Sequence, residues 1–334
     1  MRINRTAAVP AGIGLVLALA GCGSLAPTDG GGDDAAIDEL SIVVPAAPGG
    51  GWDQTGRALQ ADLQAEGLVG RATVTNVDGA GGTVGLANLA NATDPHTLLV
   101  MGLVMVGAVE TNESQARIED TTPIARLTEE QEVIVVPKES PYETLDDLVR
   151  DIEENGKDVT VTGGSAGGAD HIVAGMLLQA AGMAEDEVAA GLNYVAYSGG
   201  GESLAALLGN KVDAGISGVA EYADQVQAGE LKALAVSGED RVAALPDTPT
   251  ITESGYDVVL TNWRGVVAPG SVDDADREAL TEAVTALAAS DSWADTLAEY
   301  GWDDAFLAGD DFDDYLTGNI TEIQAVLQDV GLIR

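Results

Sequence analysis

Two histidines and one cysteine in 334 residues leave little for metal or nucleophilic chemistry. His96 and His171 stand far apart, and Cys22 has no partner, so no transition-metal ligand set and no internal disulfide can be drawn. Positive charge is also scarce: 15 Lys+Arg face 55 Asp+Glu, for a net charge of −40. A surface this acidic repels phosphate backbones, which excludes nucleic acid as a partner. No glycine loop is followed by a Walker lysine, and Gly79–Gly85 does not fit G-x-G-x-x-G, so nucleotide chemistry has no motif. Beyond the first twenty residues no run is long and apolar enough to span a bilayer.

The N-terminus reads as an export signal. Arg2 and Arg5 precede the uncharged apolar run Ala7–Ala20, which is shorter than the roughly 20 residues a spanning helix needs. The run ends in Leu19-Ala20-Gly21-Cys22, a pattern that matches the bacterial lipobox. Residues 1–21 are therefore expected to be cleaved, with Cys22 lipidated so that the chain is held on the extracytoplasmic face of the cell membrane. Loss of Arg2 and Arg5 would deepen the net charge to −42. Residues 22–37, rich in glycine and aspartate, read as a flexible tether.

From residue 38 onward the recurring unit is an apolar strand, a glycine loop and an amphipathic helix. Leu40–Val44 leads into Pro48–Gly51 and a helix from about Asp53. Ala72–Val77 leads into Gly79–Gly85, Val159–Thr162 into Gly163–Gly168, and Leu192–Ala196 into Tyr197–Gly201. Further strands are expected at Thr97–Met101, Glu132–Val136, Ala214–Ser217, Leu231–Val236 and Val258–Val267, followed by about 65 residues of helical pattern. Alternating strands and helices predict a parallel-rich α/β sheet in each of two lobes, because about 300 residues exceed one small core. The boundaries expected are 38–137 plus 264–334 for lobe 1 and 138–263 for lobe 2.

Strand–glycine–helix corners expose backbone N–H groups at the positive end of a helix, and in open α/β sheets such loops lie where ligands bind. With no basic residue inside any glycine loop, an anion here must rest on N–H groups, hydroxyls and water. Thr162, Ser165 and Ser198 are candidate hydroxyl donors. Asp53 can cap its own helix or accept a hydrogen bond from a ligand.

Six segments occur in order that together resemble the Bug-type substrate-binding proteins of tripartite tricarboxylate transporters. They are Pro48-Gly49-Gly50-Gly51-Trp52-Asp53, Gly79–Gly82, Gly163–His171, Leu207–Asp213, Gly229–Val236 and Leu245–Thr250. The resemblance runs from about residue 38 to the C-terminus. It implies a periplasmic-binding-protein-like, type II Venus-flytrap fold that closes on a carboxylated metabolite, without a cofactor and as a monomer. The implied ligand-binding residues are Gly49, Gly50, Gly51 and Asp53 in the first loop, and Gly164, Ser165, Gly167, Gly168 and His171 in the Ser-Ala-Gly loop. Tyr197, Ser198, Gly199 and Gly200 would line the cleft. The runs Tyr197–Glu202 and Asn262-Trp263-Arg264-Gly265 resemble the tricarboxylate branch, which favours a ligand such as citrate delivered to transmembrane permease subunits. A dicarboxylate or aromatic carboxylate, in transport or signalling, stays open. Arg264 is the cation expected to approach the ligand, unless it serves only a hinge ion pair. The chain departs from the family pattern at Trp52, at Asp94-Pro95-His96-Thr97 and at Ala196-Tyr197-Ser198-Gly199.

Gly163-Gly164-Ser165-Ala166-Gly167 also fits the esterase nucleophile elbow. Against that reading, His171 lies only six residues on, within the following helix, and His96 lies upstream. Asp310, Asp311, Asp313 and Asp314 lack the calcium-loop spacing and read as a solvated face.

Overall fold

The computed structural model describes residues 37–197 and 199–334. The expected signal, Cys22 and nearly all of the tether lie outside the described residues, as does Ser198.

Ten strands among the described residues form one continuous sheet. They are β1 (Ile37–Val44), β2 (Val69–Asn76), β3 (Thr97–Gly102), β4 (Thr122–Pro137), β5 (Thr160–Gly163), β6 (Asn193–Ala196), β7 (Ala214–Gly218), β8 (Leu231–Val236), β9 (Thr261–Ala268) and β10 (Asp303–Ala308). The order is β2-β1-β3-β9-β4-β7-β5-β6, with β8 and β10 also paired to β4. The outer members run parallel, as expected: β1 with β2 and β3, and β5 with β6 and β7. The centre does not. β4 and β9 run antiparallel to each other, and every other pairing that either makes is also antiparallel, so the sheet is mixed rather than parallel throughout.

The 16-residue β4 explains the architecture. Its first part pairs β10 through Glu129 and β9 through Gln131, and from Glu132 onward it pairs β7 and β8. One strand thus serves both lobes, and the partner change falls upstream of Pro137, where the sequence placed the first crossing. Hydropathy picks out only its second half, because Thr128-Glu129-Glu130-Gln131-Glu132 does not look like a strand buried on both faces. Yet Thr128, Glu130 and Glu132 are all buried.

Eleven helices cover the sheet in the described residues. The first three, α1 (Gly51–Ala65), α2 (Thr83–Leu89) and α3 (Leu103–Thr111), belong to lobe 1. The second lobe carries α4 (Leu145–Asn155), α5 (Ala169–Ala180), α6 (Glu185–Gly191), α7 (Gly200–Leu208) and α8 (Val219–Gln227). The chain closes with α9 (Asp274–Ala288), α10 (Asp291–Tyr300) and α11 (Asp310–Asp329). The short β10 interrupts the tail that periodicity alone reads as helical.

Lobe 1 has one apolar core, in which Ile42, Leu59, Leu98, Trp263 and Phe312 are fully buried. The second lobe has a core on each face of its sheet, one around Ile134, Ile152 and Leu177, the other around Val133, Leu207 and Tyr222. Close packing also fixes small residues: a Cβ at Gly56 of α1 would overlap the Val44 side chain of β1. Asp310, Asp311, Asp313 and Asp314 are exposed on the first turns of α11, where the positive helix end favours acids. No helix among the described residues is long and apolar enough to cross a membrane.

Candidate functional site

The helices α1, α5, α7 and α8 begin around one cavity, whose water-accessible space is about 80 Å³. Gly50, Gly51, Gly164, Ser165, Gly199, Gly200 and Arg264 line it, so seven of the predicted residues come together here. Trp52, Asp78, Val104, Glu130, Asp170, Ser217, Glu221 and Asn262 complete most of the wall.

The other predicted residues support the loops instead of facing the cavity. Asp53 accepts hydrogen bonds from the Gly49 amide (2.9 Å), Arg57 Nε (2.9 Å) and Asn76 Nδ2 (2.9 Å). Burial raises its pKa, but these bonds outweigh that effect and leave it below its ordinary value. His171 stacks on Tyr194 with ring centroids 4.0 Å apart, and its Nδ1 accepts from the Gly167 amide at 3.1 Å. Burial lowers its pKa to about 4, so it is neutral at physiological pH. With that nitrogen engaged by the backbone, His171 is no base for Ser165. His96 pairs with Asp276 of α9 instead (3.4 Å). Gly167, at φ +78°, and Gly168 pack against α3: a Cβ at Gly107 would overlap the Gly167 carbonyl. Tyr197 packs against the core around Val133. The hydroxyl of Thr162 donates to the Val195 carbonyl at 2.7 Å and is likewise spent on the fold.

The loop amides depart from expectation. Several of those predicted to face an anion donate to the protein's own side chains: Gly49 to Asp53, Gly51 to Glu221, Gly164 to Asp170 and Gly167 to His171. Glu221 is the most telling. It sits in the first turn of α8, yet its Oε1 accepts from the Gly51 amide of α1 at 3.0 Å, and its Oε2 accepts from Ser217 Oγ at 2.8 Å. An internal carboxylate therefore occupies the helix N-terminus that the sequence assigned to a ligand. Sequence reasoning missed it, although Gly218-Val219-Ala220-Glu221 follows β7 in the same strand–glycine–helix pattern used to find the other loops.

Arg264 is buried and pairs with Glu130, which is also buried. Its guanidinium lies 5.3 Å from the Trp302 ring and closes on Gly51, where any Cβ would overlap it. Its Nη1 has no hydrogen-bond partner, and neither do Glu130 Oε2 and Asn262 Oδ1. Burial raises the pKa of Glu130 despite Arg264, and that of Glu132 well above the ordinary range. Burial, with Glu221 and Glu130 nearby, lifts Asp170 to about 7 against the pull of the Gly164 amide.

A mixed-sheet, two-lobed α/β chain with helix N-termini and one buried arginine around a cavity is a periplasmic solute-binding-protein fold. Two solved structures bear this out: a Rhodopseudomonas palustris protein with adipate (TM-score 0.79, 22% identity, covering 89% of this chain and 99% of that one) and MatC of the same species with bound malate (TM-score 0.70, 22% identity, 88% and 97%). The model for the tripartite tricarboxylate transporter family receptor matches residues 57–332, and the chain belongs to that family. A protein from the TAR-I ttuE–ttuC' intergenic region of Agrobacterium vitis is 35% identical over 254 residues, covering 74% of this chain and 71% of its own. The family is one of transporter receptors, which makes this chain a receptor and not an enzyme.

Proposed function

We propose that this chain captures a small carboxylate outside the cytoplasmic membrane, anchored there through Cys22, and delivers it to the permease subunits of a tripartite transporter. The two lobes hinge on β4 near Gln131 and on β9 near Thr261, and they close over the ligand. The observation that carries the reading is Arg264: a buried guanidinium with an unpaired Nη1, lining the cavity beside the start of α1. A free guanidinium donor in a dry site recognises a carboxylate oxygen.

The cavity wall holds one cation against Asp78, Glu130, Asp170 and Glu221. That balance favours one or two carboxylates over the three of a citrate-like ligand, because each further negative charge meets an acid rather than a base. The adipate and malate held by the two Rhodopseudomonas proteins are consistent with this preference.

A thermal-shift screen over mono-, di- and tricarboxylic acids tests the reading. A ligand at 100 times its Kd adds about 2.7 kcal/mol to the folded state, which raises Tm by roughly 5 °C. Stabilisation by one or more acids in the parent, absent in Arg264→Gln, supports the assignment. A parent that responds to none of them refutes it.

A further inference from the structure

The cavity is built for more than an anion. Three residues of its wall carry buried atoms without a hydrogen-bond partner: one donor, Arg264 Nη1, and two acceptors, Glu130 Oε2 and Asn262 Oδ1. The residues that bear them are only 3%, 2% and 7% exposed. The Ala220 amide also approaches the Glu130 carboxylate, but it leaves Oε2 without an aligned partner. Ionised carboxylates only accept, so a plain di- or tricarboxylate would satisfy the arginine and leave both acceptors unmet. It would also face Glu221, whose two hydrogen bonds leave further lone pairs open.

Acids reach this cavity from three separate elements: Glu130 from β4, Asp170 from α5 and Glu221 from α8. Structural acids commonly sit opposite bases, but here Arg264 is the only base on the cavity wall among the described residues. The missing complement is a positively charged hydrogen-bond donor.

We propose that the ligand is a zwitterion of the α-amino-acid type, its carboxylate on Arg264 and its ammonium between Glu221 and Glu130; this rests on the carboxylate reading above. Gly51 sets the spacing. Its amide donates to Glu221, while the space beside its Cα is filled by the Arg264 guanidinium. The cationic and anionic recognition groups therefore flank one residue. That suits a ligand whose two charges are attached to one carbon, and it disfavours an ω-amino acid with charges held far apart. An α-hydroxy acid would supply one donor but no positive charge, leaving the acids uncompensated. Glu221 is then the specificity-determining residue. It occupies the α1 N-terminus that a second ligand carboxylate would otherwise take, and it offers a seat for ammonium.

Isothermal titration of the full chain at pH 7.5 tests this. The probes are the twenty common α-amino acids, the hydroxy and des-amino acids matching each one that binds, and succinate, glutarate, benzoate and citrate. The expected result is that at least one amino acid binds at least tenfold tighter than its des-amino analogue. In Glu221→Gln that ratio should shrink at least tenfold through weaker binding of the amino form. If no amino acid binds while plain acids do, this inference falls and the receptor reading stands. If nothing binds, both fall. An amino acid that binds no better than its des-amino partner also overturns the inference. So does a folded Glu221→Gln with an unchanged ratio, and the parent panel decides the matter even if that variant does not fold.

Discussion

Replacing Arg264 by Gln separates what the arginine does for the fold from what it does for the ligand. In the parent, its guanidinium and the Glu130 carboxylate are both buried and bonded to each other. Removing one partner of such a pair costs about 3–5 kcal/mol, because the remaining charge is stranded in a low-dielectric site. For a chain of this size that is roughly 6–10 °C in Tm. The loss depends on pH in a defined direction. Burial already raises the Glu130 pKa, and losing Arg264 raises it further. A folded-state pKa above the unfolded one means stability is retained at low pH and lost as pH rises through the folded value. The deficit of Arg264→Gln should therefore be largest near pH 8 and shrink toward pH 5. The double variant Arg264→Gln/Glu130→Gln should recover most of the stability at pH 8, since no buried charge remains, but none of the affinity for carboxylates. Thermal denaturation followed by circular dichroism at several pH values, with titration of a bound acid, provides the assay. An Arg264→Gln chain as stable as the parent at pH 8, or a double variant no more stable than the single one, would refute the reasoning.

Asp170 supplies a second pH signature. Its carboxyl holds a proton up to about 7 in the fold against an ordinary 3.8, so its contribution is full below about 4 and lost as pH climbs to 7. Asp170→Asn should therefore gain less Tm than the parent between pH 7.5 and 5; the opposing titration of His171 is common to both proteins and cancels in the comparison. A Cβ at Gly200 would overlap Glu221 Oε2 and crowd Ser217, so Gly200→Ala should break the Glu221–Gly51 tie. It should lower Tm by about 2–6 °C, as overpacking by a methyl does, and weaken ligand binding at least tenfold by calorimetry. Cys22→Ala, expressed from its full-length gene, should move the protein from the membrane fraction to the soluble one. Retention in the membrane fraction would show that no lipid at that residue holds it there.

The parts legible in the sequence were those governed by local rules. Apolar strands and glycine corners placed β1, β5, β6 and β7 to within a few residues, and the glycines at 50, 51, 164, 199 and 200 gather as strand–loop–helix geometry requires. The rest was hidden for a common physical reason. Glu130, Glu132 and Asp170 look like ordinary surface acids in a chain with 55 of them, and only the tertiary fold desolvates them. Their burial in the middle of β4 and at the start of α5 breaks the hydropathy pattern that finds strands and helices. Such local violations concentrate where a protein binds something. The same logic explains the loop amides: a helix N-terminus advertises an anion site in sequence, but whether an internal carboxylate such as Glu221 fills it depends on a contact between residues 170 apart.

The central claim is that a ligand carboxylate docks on Arg264 at the start of α1, between the two lobes. A crystal structure with the tightest-binding acid from the panels above tests it directly. The account predicts a carboxylate oxygen within hydrogen-bond distance of Arg264 Nη1, in the cavity bounded by Gly51, Ser165 and Gly200. A ligand seated elsewhere, or one in this cavity with its carboxylate turned away from Arg264, would contradict it.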